Sequence, residues 1–206
     1  PPTPEIRELN ALIARLDAVE ADLRREQNRQ EKAEVIPMPT TVTESLPQHI
    51  DFLKAEATRL QTALHNHIDQ HPRLRQDRDL LLSIPAVGEK TAQRLVAVLR
   101  SRPFQSADQA TAFLGLVPIE CQSGSSLHRR PRLSKAGAPR IRAALYMAAV
   151  VAIRYNPHIR TLYERLLARG KAKMAALGAA MRKLVQLAFG VLKHQKPYQT
   201  DWTPAH

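Results

Sequence analysis

Apolar residues recur at alternating steps of three and four along two stretches of this chain. Ile6, Leu9, Ile13, Leu16 and Leu23, with Glu20 in register, mark the first. Leu46, Ile50, Leu53, Ala57, Leu60, Leu64 and His67 mark the second. Only a helix brings such positions to one side, and the charged flanks make each stripe a coiled-coil seam. Residues 4–33 therefore read as one long amphipathic helix. Pro37, Pro39 and Pro47, interleaved with Thr40, Thr41 and Thr43, break the helix before the second stretch is under way. The pair forms either a helical hairpin or two strands of an intermolecular coil. A lone two-helix hairpin buries little area, which favours a contact between subunits. Residues 1–70 are thus expected to be a coiled-coil oligomerisation segment, with a dimer or larger assembly as the outcome.

The rest of the chain is expected to be helical too. With seven Gly, 4% aromatics and few β-branched runs in 206 residues, a β-sandwich or barrel is excluded and the fold class is mainly α. A single Cys rules out a disulfide framework and fits a reducing compartment, the cytoplasm. The longest uncharged apolar run, Ala143 to Ile153, has 11 residues, short of a bilayer span. No signal peptide opens the chain, and no membrane partner is expected. The sequence begins Pro1-Pro2-Thr3 without an initiator Met, as a piece of a longer protein would.

Charge divides the chain. Residues 1–84 carry 11 basic and 14 acidic side chains, whereas residues 85–206 carry 20 basic and 5 acidic. No carboxylate lies between Glu120 and Glu164, a span that holds Arg129, Arg130, Arg132, Lys135, Arg140, Arg142, Arg154 and Arg160. A solvated helical surface usually mixes signs, so this segment is built to meet a polyanion. A membrane surface is the poorer fit, because no helix pairs this charge with an aromatic apolar face. Nucleic acid is the expected partner.

His65, His67 and His71 lie close in sequence, but without Cys or a carboxylate cluster they read as helix-surface histidines and not as metal ligands. Pro72 opens a connector helix over residues 71–83, which must end by Ser83-Ile84 because Pro85 disfavours helix before it. Ile84-Pro85-Ala86-Val87-Gly88-Glu89-Lys90 then leads into an apolar helix from Ala92 to Leu99. That is the form of a helix-hairpin-helix, whose turn offers backbone N–H groups to a phosphate; an ordinary helix–helix corner has the same outline. Further on, Pro139 starts a helix through Ile153, with Ile141, Leu145, Met147 and Ala148 as its apolar faces. Asn156-Pro157 begins the next, carrying Ile159, Leu162, Leu166 and Leu167, and Gly170 ends it. Leu177, Met181, Leu184, Val185, Ala188 and Val191 form the stripe of a last helix, Met174 to Leu192. In the tail, Trp202 is read as a packing anchor or as unstructured.

The least helical segment is Ile119 to Gly137, expected as a loop or short β-hairpin with four serines among four basic residues. Serine needs a base, a metal or strong charge stabilisation to act as a nucleophile. Neighbouring arginines suit a phosphodiester, whose transition state spreads charge over non-bridging oxygens. By residue chemistry alone the segment fits a phosphate-binding loop as well as a catalytic one.

The order of several short motifs adds to this reading. Ile84-Pro85-Ala86-Val87-Gly88, Ala112 through Pro118, Gln122-Ser123-Gly124 and Ser134-Lys135-x-Gly137 with Arg142 occur in sequence. Asn156-Pro157, Tyr163, Arg169-Gly170-Lys171 and Ala180 through Leu184 follow. The series resembles the C-terminal domain of the IS110 family of insertion-sequence transposases, relatives of the Piv DNA invertases, over about residues 80–195. The resemblance implies a recombinase in which a serine attacks DNA and forms a covalent phosphoserine link, guided by a bridge RNA. It implies Ser123 as that serine, with Ser125 and Ser126 as alternates. It further implies a RuvC-like N-terminal domain, absent from this sequence, whose carboxylates bind Mg²⁺; no cofactor is expected on this chain itself. Ala86 and Ala138 stand where the family usually has Gly and Asn.

The expected organisation is thus a coiled-coil hairpin (1–70), a connector helix (71–83) and a compact helical serine domain (84–206). Expected nucleic-acid contacts are Gly88 and Lys90 at the first turn, and Gly124, Arg129, Arg130, Arg132 and Lys135 in the serine segment. Arg140, Arg142, Lys171 and Lys173 extend that surface. Such a fragment is expected to bind DNA without recombining it. The rival reading is a non-catalytic nucleic-acid-binding and oligomerisation module, in which Ser123 only donates to a phosphate.

Overall fold

The computed structural model describes residues 2–123 and 127–200, with 120–123 and 127–131 described by backbone alone. It divides into two compact units, Pro1–Arg75 and Gln76–His206. Among the described residues the chain is mainly α, with eight helices and one two-stranded sheet.

The first unit is a hairpin of α1 (Pro4–Ala33) and α2 (Thr40–Gln70), which pack on each other along their length. Ile6, Leu9, Leu16 and Val19 of α1 are buried with Ile50, Leu53, Leu60, Leu64 and Ile68 of α2. Each such leucine or isoleucine contributes about 1.5–3 kcal/mol by leaving water. The seam that favoured a contact between subunits is therefore filled within one chain. Pro47 does not interrupt α2 but lies inside it. The carbonyl it leaves without a helical donor, that of Thr43, is in an exposed turn where water can serve it. Of the three histidines expected on the helix surface, one differs. His67 is a buried seam residue, and its Nε2–H donates to the Glu5 carbonyl at 2.9 Å. His71 Nδ1 lies 2.7 Å from the His67 carbonyl, and His65 pairs with Asp69 at 3.0 Å.

The second unit takes in most of α3 (Pro72–Leu82), then α4 (Glu89–Leu99) and α5 (Ala107–Phe113), the strands β1 (Pro118–Ser123) and β2 (Leu127–Leu133), and three longer helices. These are α6 (Pro139–Tyr155), α7 (Pro157–Ala168) and α8 (Lys173–His194). The breaks are local and chemical. Pro85 and Ala86 are the central residues of a turn closed by Val87 N–H to the Ile84 carbonyl at 3.0 Å. Ala86 has φ +79°, the left-handed value that the third residue of a type II turn requires. Asn156 caps α7 by accepting from Ile159 N–H at 3.2 Å, and Pro157 follows at the first helical position. Gly170, at φ +74°, ends α7 with two bonds, Gly170 N–H to Leu167 and Lys171 N–H to Leu166. This is a Schellman cap.

The core lies around α8. Leu177, Met181, Leu184, Val185, Ala188 and Val191 are all buried, as the stripe requires. Helices α5, α6 and α7 pack against it. By length and composition α8 could cross a membrane, but more than half of its apolar stretch is buried in this core. At the opposite extreme, Met147 of α6, expected inside, is 60% exposed. Asp77, fully buried, ties three segments together: it accepts two bonds from Arg100 at 2.6 and 2.7 Å and one from Gln195 at 3.0 Å. The C-terminal tail is anchored by Tyr198; Trp202 lies outside the described residues. Tyr198 N–H donates to Ser83 Oγ at 2.8 Å, and its hydroxyl donates to the buried Asn156 at 3.1 Å, beside His158 Nδ1 at 2.6 Å. Burial pushes the Tyr198 phenol above its ordinary value, partly offset by its bonds to His158 and Asn156.

Candidate nucleic-acid interface

The serine segment is an antiparallel hairpin. Pro118 faces Leu133, Ile119 faces Arg132, Cys121 faces Arg129, Gln122 faces His128 and Ser123 faces Leu127. The register shifts between Ile119 and Cys121, so Arg130 and Pro131 together oppose Glu120. Pro131 has no N–H to give to a ladder, which suits it to a bulge. Ser123 is the last residue of β1. Gly124, Ser125 and Ser126 lie outside the described residues, and of Ser123, Arg129 and Arg130 only the backbone is placed.

The base of the hairpin is interlocked with the end of α5. Gly115 closes α5 with a second Schellman cap: its N–H donates to Ala112, and Leu116 N–H donates to Thr111, both at 2.9 Å. Its φ is +70°, and a methyl at this position would sit 2.2 Å from the Ala136 carbonyl oxygen and 2.5 Å from Ala136 N. Reciprocally, Gly137 has φ +78°, and a methyl there would lie 2.4 Å from the Phe113 carbonyl oxygen. Two further bonds continue the ladder past the strands, from Ser134 N–H to Val117 and from Lys135 N–H to Gly115, at 3.0 and 3.1 Å. The Phe113–Gly115 and Ser134–Gly137 motifs are thus two sides of one backbone crossing. Leu133 completes the attachment, its Cδ1 lying 3.5 Å from where a methyl on Gly178 of α8 would be.

This attachment gathers cations at one end of the unit. Helices α6, α7 and α8 pack on one another. The hairpin is rooted near the starts of α6 and α8: α6 begins at Pro139, shortly after β2 ends, and Leu133 meets Gly178 in the second turn of α8. Arg132, Lys135, Arg140, Lys171 and Lys173, all expected contacts, are exposed on this stretch of hairpin, loop and helix starts. Neither α6 nor α8 has a carboxylate in its own first turn or a side-chain cap, so neither helix offsets its own positive end. Asp108 of α5 is occupied by Arg182 of α8 at 2.9 Å. That bond, with a second from Gln186, holds the Asp108 carboxyl below its ordinary value.

Three expected contacts sit apart from this group. Gly88 and Lys90 lie on the α3–α4 turn, where Gly88 is the N-cap of α4 and Lys90 is exposed in its first turn. Arg142 turns back: one guanidinium nitrogen, Nη1, donates to the Ala136 carbonyl at 2.7 Å and to the Gly137 carbonyl at 2.8 Å. Among the described residues no cluster of His, Cys, Asp or Glu could hold a metal ion. The described residues therefore do not fit a Mg²⁺ site.

Residues 78–164, which hold the turn, the crossing, the hairpin and α6, match the profile of the transposase IS116/IS110/IS902 family. This segment belongs to the IS110 transposase family. Similarity extends beyond the segment. The chain is 30% identical over 193 residues to the pilin gene-inverting protein of Moraxella bovis, covering 92% of this chain and 58% of that one. The pilin gene-inverting protein of Moraxella lacunata gives the same identity and coverage. It is 27% identical over 174 residues to the 43.6 kDa protein of insertion element IS110 from Streptomyces coelicolor, covering 82% of this chain and 42% of that one. The chain therefore spans about half the length of the curated relatives it matches. Within the family segment, the interlock gives two of its motifs a physical reason: each glycine is where the other strand's backbone passes.

Proposed function

We propose that this chain is the C-terminal part of a DNA transposase or invertase that cuts and rejoins DNA through a phosphoserine intermediate. The observation that carries the reading is the hairpin of the family segment. It ends β1 at Ser123 and is rooted beside two helix N-termini with no acid in their first turns and beside exposed Arg132, Lys135, Lys171 and Lys173. Phosphates of DNA are the ligands such a surface favours. In the reaction, Ser123 Oγ bonds to phosphorus as one P–O ester bond to deoxyribose breaks. The hydroxyl proton passes to a base or to water, and the released deoxyribose oxygen takes up a proton. Attack by a second strand's hydroxyl reverses these changes and frees the serine. Arg129 and Arg130 are assigned to the charge that gathers on the non-bridging oxygens.

By family resemblance, a bridge RNA selects the DNA, and a RuvC-like domain outside this sequence supplies the carboxylates that hold Mg²⁺. Self-association of residues 1–70 belongs to the same reading. It is supported by exposed Val35, Ile36, Met38 and Val42 around the bend of the α1–α2 hairpin. The protein would act in the cytoplasm, on DNA.

The test is a nicked DNA substrate that traps the intermediate, offered to the full-length protein with its RNA and Mg²⁺. A denaturing gel is expected to show a protein–DNA adduct, mapped by peptide mass spectrometry to Ser123 and lost in Ser123→Ala with binding intact. An adduct at Ser125 or Ser126 keeps the chemistry and moves the nucleophile. Tight binding without any adduct refutes phosphoserine chemistry and leaves a nucleic-acid-binding module, in which Ser123→Ala costs only about 1 kcal/mol of affinity.

A further inference from the structure

We propose that Arg142 is a positioning residue for the serine hairpin and not a phosphate ligand; the proposal rests on the phosphoserine reading above. Arg142 lies in the first turns of α6, at the positive end of the helix dipole, where a cation is unfavourable unless a specific partner offsets it. Its partners are two consecutive carbonyls, Ala136 and Gly137, gripped by a single nitrogen at 2.7 and 2.8 Å. Charge-assisted bonds of this kind are short and about twice as strong as neutral ones.

These carbonyls belong to the strand that crosses α5. The Ala136 oxygen is the atom nearest to a methyl on Gly115, and Gly137 is the residue that rests on the Phe113 carbonyl. Lys135, at φ +56°, and Gly137, at φ +78°, bend the chain sharply out of β2 just before Arg142 catches it. Pro139 has no N–H with which to tie the bend from the helix side. Arg142 therefore closes the bend from behind, fixing the path by which the hairpin leaves the helical body. The clamp stands at the base of the paired strands that lead to Ser123, so loosening it weakens the hold of the neighbouring Ser134 and Lys135 bonds on the hairpin. A phosphate at Nη1 would have to displace both backbone bonds.

The test has two readouts. In the 206-residue chain, Arg142→Gln is expected to speed amide hydrogen exchange at least tenfold at Ser134 and Lys135, whose N–H groups hold the base of the hairpin. Amides in the middle of α8 keep their protection, and Arg142→Lys restores part of the loss. In the full-length protein at saturating DNA, Arg142→Gln is expected to slow adduct formation at least tenfold. DNA affinity and its salt dependence stay at the wild-type values. Unchanged exchange at Ser134 and Lys135 overturns the proposal. So does a salt slope reduced by about 0.9, the signature of one lost phosphate contact on duplex DNA, with adduct formation at saturation intact. If the wild-type protein forms no adduct, phosphoserine chemistry fails and the exchange readout alone decides the role of Arg142.

Discussion

Gly115→Ala and Gly170→Ala separate two costs that a glycine can carry. Both residues cap helices at nearly the same left-handed angle, φ +70° and +74°. Around Gly170 nothing lies within 4 Å of an added methyl, whereas at Gly115 the methyl would stand 2.2 Å from the Ala136 oxygen. Alanine in this conformation costs roughly 1–2 kcal/mol at either site, less about 0.4–1 kcal/mol returned through the unfolded chain. Only Gly115→Ala must also push a backbone strand aside by about an ångström, which overpacking data place at roughly 1–3 kcal/mol. The strand cannot yield freely, because Arg142 holds the same Ala136 oxygen at 2.7 Å. The expected outcome is a loss of about 0.5–1 kcal/mol for Gly170→Ala and about 2–4 kcal/mol for Gly115→Ala. Urea unfolding followed by tyrosine fluorescence reads this, since all four tyrosines lie after residue 145, within the second unit. The midpoint should fall with little change in slope. Equal losses at the two sites would refute the interlocked crossing.

Two further outcomes follow from the same unit. Ala86 occupies a left-handed turn position at φ +79° and is half-buried, so Ala86→Gly is expected to stabilise the unit by about 0.5–1 kcal/mol. Scanning calorimetry should show a rise of a few degrees, and a fall would mean that its methyl group makes a packing contact worth more than the strain. Asp108 has its carboxyl held below the ordinary range by Arg182 and Gln186. A group lowered on folding stabilises above its unfolded value, near 3.9, and loses that contribution as pH falls through the folded value. Stability measured between pH 5 and pH 2 should therefore fall less in Asp108→Asn than in the wild type, and an identical profile would argue against the pair in solution.

How much of this was legible in the sequence depended on how far apart the interacting residues stand. Pro72, Pro85, Pro139, Asn156-Pro157 and Gly170 act through their own backbone, so each helix boundary they mark appears within a residue or two of its expected place. The α8 stripe was legible because one face of one helix supplies it. The α1–α2 pair was legible as a coiled-coil hairpin, but whether its seam is filled within the chain or by a second subunit was not, since the same spacing serves either. Pro47 misled because a proline's cost depends on whether its orphaned carbonyl is exposed, a property of the folded hairpin. Met147 misled because α6 is apolar on more than one side, and periodicity does not say which side meets the core. The bond from Tyr198 to Ser83 spans 115 residues, and nothing local announces it. Arg142 is the instructive case: among so many arginines its sequence position suggested phosphate, while its geometry is spent on two carbonyls.

Both the α3–α4 turn and the hairpin base present helix N-termini to the surroundings, so the dipole alone does not choose between them as a place for phosphate. Their carboxylates do. At the start of α4, Glu89 already supplies negative charge in the first turn, where its Oε1 accepts from Gln93 at 3.1 Å and lies 3.8 Å from Arg78. An incoming phosphate would meet a carboxylate there, and Lys90 has that neighbour to offset. At α6 and α8 the first turns hold Arg140, Arg142 and Lys173 and no acid. A cation at a helix N-terminus is unfavourable by itself, by a few tenths to about 1 kcal/mol. A chain that places several there, at two adjacent helices and beside the root of a serine-bearing hairpin, holds charge that an anion would relieve. Arg142 is relieved internally by Ala136 and Gly137, whereas exposed Lys135, Lys171 and Lys173 are the cations that the proposed phosphodiester contact would use.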